Sequence, residues 1–409
     1  MWAVWAVLAA FGTYFCMYAF RKPFTAAAFL SAEGDGSSWK SALITSQILG
    51  YALSKFVGIK VISEMRPEKR AGTLLLLIGI SELALILFAV TPPPWNLAFM
   101  FMNGVPLGMV FGLVLGFLEG RQLSEALSAG LCASFIVADG ATKSVGSWLL
   151  QSGVSEQWMP AAAGGLFFVP LACCVAVLAR TPGPSRRDQE ARSERVQMTQ
   201  RDRWVLIRHY GPGLSLLIIM YLATTILRSL RADFAPELWR DLGATVVAKT
   251  FTSSEILVAI GVLVINGSLI VVENNRRAFF IGLGTCLFGF LLIAGALLGL
   301  RAQQLSPFVF MVLVGFGLYF PYVAVHTTLF ERLLAMTRER GNAGFLMYLA
   351  DSTGYLGYVG CMLLQGTVSR DGAVLPFFSA ACWTTCCVSV LCLILAARYF
   401  SQHGDVRRS

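Results

Sequence analysis

Twelve apolar stretches, each about as long as a lipid bilayer is thick, constrain the fold of this chain more than any other feature. A membrane-spanning helix needs roughly 20 mostly apolar residues, and a backbone in lipid must satisfy its polar groups within helices or a closed barrel. The twelve predicted helices lie near residues 2–29, 41–62, 71–91, 95–118, 126–150, 159–179, 209–230, 250–272, 278–300, 307–330, 343–368 and 375–398. The sequence therefore predicts an all-α membrane protein that is embedded in a lipid bilayer.

The composition and the distribution of charge also indicate a multi-pass membrane protein. Of the 409 residues, 56% are apolar and only 13% are charged, which is typical of this class. Most of the 32 Lys and Arg residues fall in the loops after the even-numbered helices and in the C-terminal tail. Because positively charged loops remain on the cytoplasmic side, we expect both termini to be cytoplasmic. We expect the protein to lie in the plasma membrane (the inner membrane of a bacterium). The net charge of +9 then reflects topology and contact with lipid, and we expect no nucleic-acid partner.

One long polar stretch divides the chain into two halves. We predict an N-terminal six-helix bundle over residues 1–180, a cytoplasmic linker over 181–208, a C-terminal six-helix bundle over 209–400 and a cytoplasmic tail over 401–409. The halves also look like repeats, since Ala138-Asp139 in predicted helix 5 recurs as Ala350-Asp351 in predicted helix 11. Two pseudo-symmetric halves of six helices are the arrangement in which a solute site forms where the repeats meet.

Two of the predicted helices carry the same polar stripe, which ends in an arginine. Residues at i, i+4 and i+7 share one helical face, and the two stripes at this spacing are Tyr14, Tyr18 and Arg21 in helix 1 and Tyr221, Thr225 and Arg228 in helix 7. An arginine that faces lipid is costly, so an intramembrane arginine normally faces a bundle interior or a wet cavity. The alternative is that both side chains snorkel to the lipid headgroups. Lys55, near the middle of helix 2, is a third cation that we expect to face a cavity.

Longer stretches around these residues resemble a known family. They are residues 12–24 in helix 1, 50–56 in helix 2, 226–236 in helix 7, 317–326 in helix 10 and 354–357 in helix 11. Together they resemble the major facilitator superfamily and, within it, the organophosphate:phosphate antiporters, which include the glycerol-3-phosphate and hexose-phosphate carriers. The chain also resembles a less characterised bacterial branch of the superfamily. The resemblance implies a major facilitator fold with twelve transmembrane helices in two pseudo-symmetric halves.

The resemblance further implies roles for individual residues. In that family the arginines matching Arg21 and Arg228 grip the phosphate, and the planar guanidinium fork suits bidentate bonds to phosphate oxygens. Lys22 and Asp233 match a salt bridge between the halves. Glu255 matches a carboxylate near the site. The other residues that the resemblance places at the substrate are Tyr14, Tyr18, Lys55, Tyr319 and Tyr355.

Helix 5 departs from the family's pattern. Where the family has a histidine that approaches the substrate, this chain has Asp139 at or next to that place. An acid repels a phosphate unless it is protonated or paired, and Lys143, four residues further on, is placed to neutralise it. Asp351 and the intramembrane His326 are further candidates for coupling or gating, with a hydrogen-bonded structural role as the alternative.

Metal and enzyme chemistry are not indicated. The ten cysteines all lie in predicted helices, without metal-ligand spacing or a disulfide framework. No catalytic spacing and no Gly-rich phosphate loop occurs. We therefore expect no metal, no cofactor and no enzymatic activity.

These features predict a secondary active transporter, acting as a monomer, that moves a small anion by alternating access. The two arginines favour a phosphorylated or carboxylated solute, and the resemblance favours exchange with phosphate. If Asp139 or Asp351 titrates, proton-coupled symport of an organic anion is the alternative. A transporter-like sensor and flipping of lipid headgroups also remain open.

Overall fold

The fold is built from long helices that follow one another along the chain. The computed structural model describes residues 2–29, 36–63, 65, 67–118, 124–181, 200–244, 247–337, 343–368 and 374–403, and these residues contain no β-strand. Within them we number twelve long helices: α1 Trp2–Met17, α2 Gly36–Ser63, α3 Arg70–Val90, α4 Asn96–Leu118, α5 Ser124–Gln151, α6 Met159–Ala179, α7 Gln200–Asp233, α8 Ala248–Ser268, α9 Asn275–Arg301, α10 Pro307–Thr337, α11 Ala343–Val368 and α12 Val374–His403. Each helix overlaps one of the twelve predicted segments, so the prediction of an all-α fold is confirmed.

Eight of these helices are long and apolar enough to cross a membrane by length and composition alone, namely α3, α4, α6, α7, α8, α9, α10 and α12. The other four contain or adjoin polar residues that the sequence singles out. Lys55 lies in α2, Asp139 in α5 and Asp351 in α11, and Arg21 follows α1. α1 is apolar but has only 16 residues, whereas in α2, α5 and α11 polar side chains replace apolar ones on helices that carry candidate site residues.

The first helix is shorter than predicted. The sequence predicts a helix over residues 2–29, but α1 ends at Met17 and two 3-10 turns follow, Tyr18–Phe20 and Pro23–Ala26. Pro23 accounts for the break, because proline lacks the N–H group that a continuous helix needs there and its ring clashes with the carbonyl four residues earlier. The regular helical face predicted for the first stripe therefore ends before Arg21, which stands in the turn.

Two other helices also differ from their predicted form. α7 begins at Gln200, about two turns before the predicted start near residue 209, so the predicted linker is helical from there on. The rest of that linker, residues 182–199, lies outside the described residues, as does the predicted tail from residue 404. α10 contains a π-helical turn at Val325–Leu329, which the sequence did not predict.

Glycines let α2 and α4 approach closely. A Cβ atom added at Gly104 would meet the backbone carbonyl of Gln47 and lie 2.9 Å from the backbone nitrogen of Tyr51. A Cβ atom added at Gly108 would lie 2.7 Å from the carbonyl oxygen of Tyr51. α4 thus presents a small-residue packing face at these two positions, and this close approach fixes where α2 places Tyr51 and Lys55.

The chain forms two compact units, each with its own core. Unit 1 comprises residues 1–189, 231–259 and 359–375, and unit 2 comprises residues 190–230, 260–358 and 376–409. The helices α7, α8, α11 and α12 each contribute residues to both units. The division into halves at residues 180 and 209 remains a prediction.

Substitution of Gly104 tests the close approach of α2 and α4. We expect Gly104→Ala to lower the free energy of unfolding by about 1–3 kcal/mol, because the new methyl group must displace backbone atoms. The matched control is Gly79→Ala in α3, where an added Cβ atom would have no neighbour within 4 Å. There the better helix propensity of alanine should leave stability unchanged or raise it by up to about 1 kcal/mol. Unfolding in detergent, followed by tryptophan fluorescence, measures both; equal stability of the two variants would contradict the packing interpretation.

Candidate functional site

Arg21 is held at the end of α1 by a buried amide network. Nε2 of Gln47 lies 3.1 Å from the carbonyl oxygen of Arg21 and 2.7 Å from Oδ1 of Asn103, and it donates to both. Nδ2 of Asn103 in turn donates to the carbonyl oxygen of Phe20 at 3.1 Å and to Oγ of Ser81 at 2.7 Å. The network satisfies backbone carbonyls that the broken helix leaves without helical partners. Sequence reasoning missed Asn103, although an amide within an apolar helix is a signal for such a role.

The guanidinium of Arg21 stacks on an aromatic ring and does not extend to the protein surface. The side chain is only 4% exposed, and its Cζ lies 4.0 Å from the centre of the Tyr51 ring and 5.9 Å from that of Tyr18. An aromatic face attracts a cation through its quadrupole. Arg21 is therefore buried within unit 1, as expected for a group that faces an interior.

Lys55 shares the same aromatic ring with Arg21. Its Nζ lies 5.4 Å from the centre of Tyr51 and 5.4 Å from that of Phe111. Phe111 also contacts Tyr14 edge-on at 5.4 Å, and Tyr14 contacts Tyr18 edge-on at 5.6 Å. Unit 1 thus brings together four predicted site residues, two of them cations, around rings that the sequence did not assign to the site.

Four buried or largely buried ion pairs form a second cluster in unit 1. Each joins one basic and one acidic side chain, so the cluster is balanced in charge. The pairs are Lys22–Asp233, Lys40–Glu237 at 2.6 Å, Lys143–Asp139 and Arg231–Glu255 at 2.8 Å. Three of them join residues about 25 to 210 positions apart, and only Lys143–Asp139 lies within one helical turn. Removing one partner of such a pair leaves a buried charge uncompensated, which is strongly destabilising.

Three predicted site residues, Asp139, Lys143 and Glu255, are engaged in these ion pairs. Asp139 is paired with Lys143 on its own helix, as their spacing predicts, so its charge is neutralised there. Glu255, predicted near the substrate, pairs with Arg231 and packs against Gly140 of α5, where an added Cβ would lie 2.9 Å from the Glu255 Cβ. The α5–α8 contact is reinforced by Ser144, whose hydroxyl lies 2.6 Å from that of Thr252. In this conformation these acids stabilise helix packing in unit 1.

Arg228 occupies in unit 2 an environment similar to that of Arg21. It is 6% exposed, and its Cζ lies 4.4 Å from the centre of the Tyr322 ring. Tyr322 stacks on Tyr221 at 5.3 Å, lies tilted against His326 at 4.7 Å and meets Tyr319 edge-on at 6.4 Å. Sequence reasoning missed Tyr322; the signal was present, because it lies four residues before His326 on one helical face.

Asp351 forms a hydrogen-bonded cluster with Tyr221 and His326. Its Oδ1 accepts a hydrogen bond from the hydroxyl of Tyr221 and lies 3.4 Å from Nε2 of His326. Nδ1 of His326 lies 3.0 Å from the carbonyl oxygen of Tyr322. His326 falls in the π-helical turn of α10, and such turns occur frequently at functional sites. Tyr355, the remaining predicted tyrosine, lies one turn after Asp351 on α11 and is buried.

Metal ligation has no support among the described residues. They contain no group of three or more His, Cys, Asp or Glu side chains that could hold a metal ion. All ten cysteines are free thiols.

The fold places the chain in a known structural class. It is similar to the crystal structure of a D-xylose–proton symporter, with a TM-score of 0.68 and 11% identity over 96% of each chain. It is also similar to the major facilitator superfamily proton:xylose symporter XylE bound to 6-bromo-6-deoxy-D-glucose, with a TM-score of 0.63 and 13% identity over 97% of this chain and 96% of the other. The chain therefore has the major facilitator fold, as the resemblance implies. At these identities the likeness extends to the fold alone.

The family of this chain is defined by its sequence. The model of DUF5690, described as a family of unknown function, matches residues 23–403. The chain belongs to that family. No curated protein matches the sequence significantly.

A double-mutant cycle on Lys22 and Asp233 tests the buried pair. Both side chains are buried, at 6% and 2% exposure. We expect Lys22→Met alone and Asp233→Leu alone to lower stability by about 3–5 kcal/mol each, and the double variant to recover most of that loss. Lys249→Met is the control, because Lys249 is exposed. Denaturation in detergent measures the free energy of unfolding of the wild type and of each variant. Single variants as stable as Lys249→Met would contradict the assignment of a buried ion pair.

Proposed function

We propose that this protein is a secondary transporter that moves a small anionic solute across the membrane by alternating access. The proposal rests on one observation. Two arginines at the end of α1 and in α7, Arg21 and Arg228, are each buried and stacked on a tyrosine of their own unit. Such a cation keeps its charge while its side chain is shielded from lipid. The major facilitator fold supplies the architecture that proteins use to bind a solute between two halves.

The chemistry of guanidinium favours a phosphorylated or carboxylated solute. Its planar fork makes two parallel hydrogen bonds to a phosphate or carboxylate, whereas an ammonium acts as a point charge. Arg21 is joined by Lys55 at the same ring, which adds a second positive charge in unit 1. Two cations in one unit suit a group that carries more than one negative charge, such as a phosphate ester. Exchange with inorganic phosphate is therefore the transport mode that we test first.

The surrounding residues have distinct proposed roles. Tyr14, Tyr18, Tyr319 and Tyr355 shape the site and offer hydroxyl groups to the solute. Lys22–Asp233 acts in gating, because opening the closed side of unit 1 requires that a buried pair be broken or hydrated. Asp139–Lys143 and Glu255 support the same side through their ion pairs.

Proton-coupled symport of an organic anion is the second candidate. It is favoured by the cluster of Asp351, His326 and Tyr221, in which a carboxylate lies next to an imidazole. The two similar structures are also those of proton symporters. In either mode we propose a monomer in the plasma membrane (bacterial inner membrane), with both termini cytoplasmic, because positive charges concentrate in loops on that side.

Counterflow of labelled phosphate into proteoliposomes loaded with unlabelled phosphate tests the exchange mode. We expect the wild-type protein to accumulate label, and Arg21→Lys and Arg228→Lys to reduce the initial rate about tenfold or more, because each loses a bidentate contact while keeping its charge. Arg301→Lys, at the exposed end of α9, should exchange at the wild-type rate.

The same vesicles separate the two transport modes. If well-folded wild-type protein exchanges no phosphate, phosphate is not the counter-substrate, and uptake of phosphate esters and carboxylates driven by a proton gradient is measured next. If Arg21→Lys and Arg228→Lys exchange as fast as Arg301→Lys, the arginines do not bind the solute.

A further inference from the structure

The hydrogen-bond pattern around His326 fixes where its hydrogen lies. A backbone carbonyl oxygen can only accept a hydrogen bond, so Nδ1 of His326, 3.0 Å from the carbonyl oxygen of Tyr322, must carry the hydrogen. In the neutral ring Nε2 is then an acceptor. The ring therefore presents a lone pair towards α7 and α11.

The groups that Nε2 faces are acceptors as well. Oδ1 of Asp351 lies 3.4 Å from Nε2, and the Tyr221 hydroxyl oxygen lies 3.5 Å from it. The hydrogen of the Tyr221 hydroxyl is already donated to Oδ1 of Asp351. A neutral imidazole and a carboxylate thus meet lone pair to lone pair, and one added proton would convert this repulsion into a charge-assisted hydrogen bond.

We propose that the Asp351–His326 pair is the proton-binding site of the transport cycle, taking up one proton between Nε2 and Oδ1. In this step an N–H bond forms on His326 from a solution proton and breaks again on release, with no other change of bonding. The inference deepens the proposed transport function and rests on it for its role in the cycle.

The position of Arg228 links this proton to the anion. Around the pair, the titratable and charged groups of the described residues are Tyr221 and Arg228 on α7, Tyr322 on α10 and Tyr355 on α11. Arg228 and His326 contact the same ring, that of Tyr322. Without the proton, the Asp351–His326 pair carries one negative charge, and this charge competes with a bound anion for electrostatic interaction with Arg228. With the proton the pair is neutral, so proton and anion favour each other's binding, and the effect is reciprocal.

The three histidines of the chain make a direct test practical. Protein labelled with ¹⁵N-histidine gives one set of ring signals each for His209, His326 and His403, and loss of a set in His326→Gln assigns it. In the wild type we expect the His326 ring to be Nδ1-protonated when neutral and to become doubly protonated reversibly as the pH is lowered. At the pH where half of the wild-type rings are charged, Asp351→Asn should reduce the charged fraction about fivefold or more, because the stabilising carboxylate is gone.

Two further variants keep the test decisive. His209→Gln, at an exposed position, should leave the His326 signals unchanged. Tyr221→Phe keeps the stacked ring and removes only the hydroxyl that donates to Asp351. It should shift the His326 titration step even if Asp351→Asn does not fold. A ring that stays Nε2-protonated at every pH, or a step identical in wild type, Asp351→Asn and Tyr221→Phe, would overturn the proposal.

Addition of inorganic phosphate to the same sample separates this inference from the proposed function. An increase in the charged fraction of His326 supports both. If phosphate has no effect, phosphate fails as the solute, while the proton site is still decided by the comparison of wild type with Asp351→Asn.

Discussion

The cost of placing a charge away from water is the constraint on which the rest of this structure depends. A lone ion in a low-dielectric interior is unfavourable by far more than a folded protein's net stability. The described residues meet this cost in two ways. One is direct pairing of opposite charges, as in Lys22–Asp233 and Arg231–Glu255. The other is stacking of a cation on an aromatic ring, as for Arg21 on Tyr51.

The two solutions have different consequences for function. A carboxylate neutralises the cation that it pairs with, so the four ion pairs of unit 1 contribute no net charge. An aromatic face lowers the energy of a cation and leaves its charge in place. Arg21, Lys55 and Arg228 each lie over a tyrosine ring, and the proposed binding of an anion depends on these three cations. The same chain thus combines ion pairs that are balanced in charge with cations that stack on aromatic rings.

The fold could be predicted from sequence because it follows from hydropathy, and twelve apolar segments leave few alternatives in lipid. Some contacts of the site could also be predicted from sequence, because the spacing of Asp139 and Lys143 places them one helical turn apart. The contact between Lys40 and Glu237 could not be predicted, because these residues are far apart in sequence and meet only through tertiary packing. The π-helical turn at His326 depends on packing rather than on local propensity, and no sequence rule placed it.

Asp139 and Asp351, which the sequence places at matching positions of its predicted repeats, have different neighbours in the structure. Asp139 has a lysine one turn away and forms an ion pair with it on its own helix. Asp351 has a histidine as neighbour, the one side chain whose ordinary titration falls between pH 5 and 8. A carboxylate next to an imidazole can share a proton with it, which is the step that the proposed proton site requires. Of the two acids suggested by the sequence for coupling, the geometry therefore favours Asp351, in the same unit as Arg228.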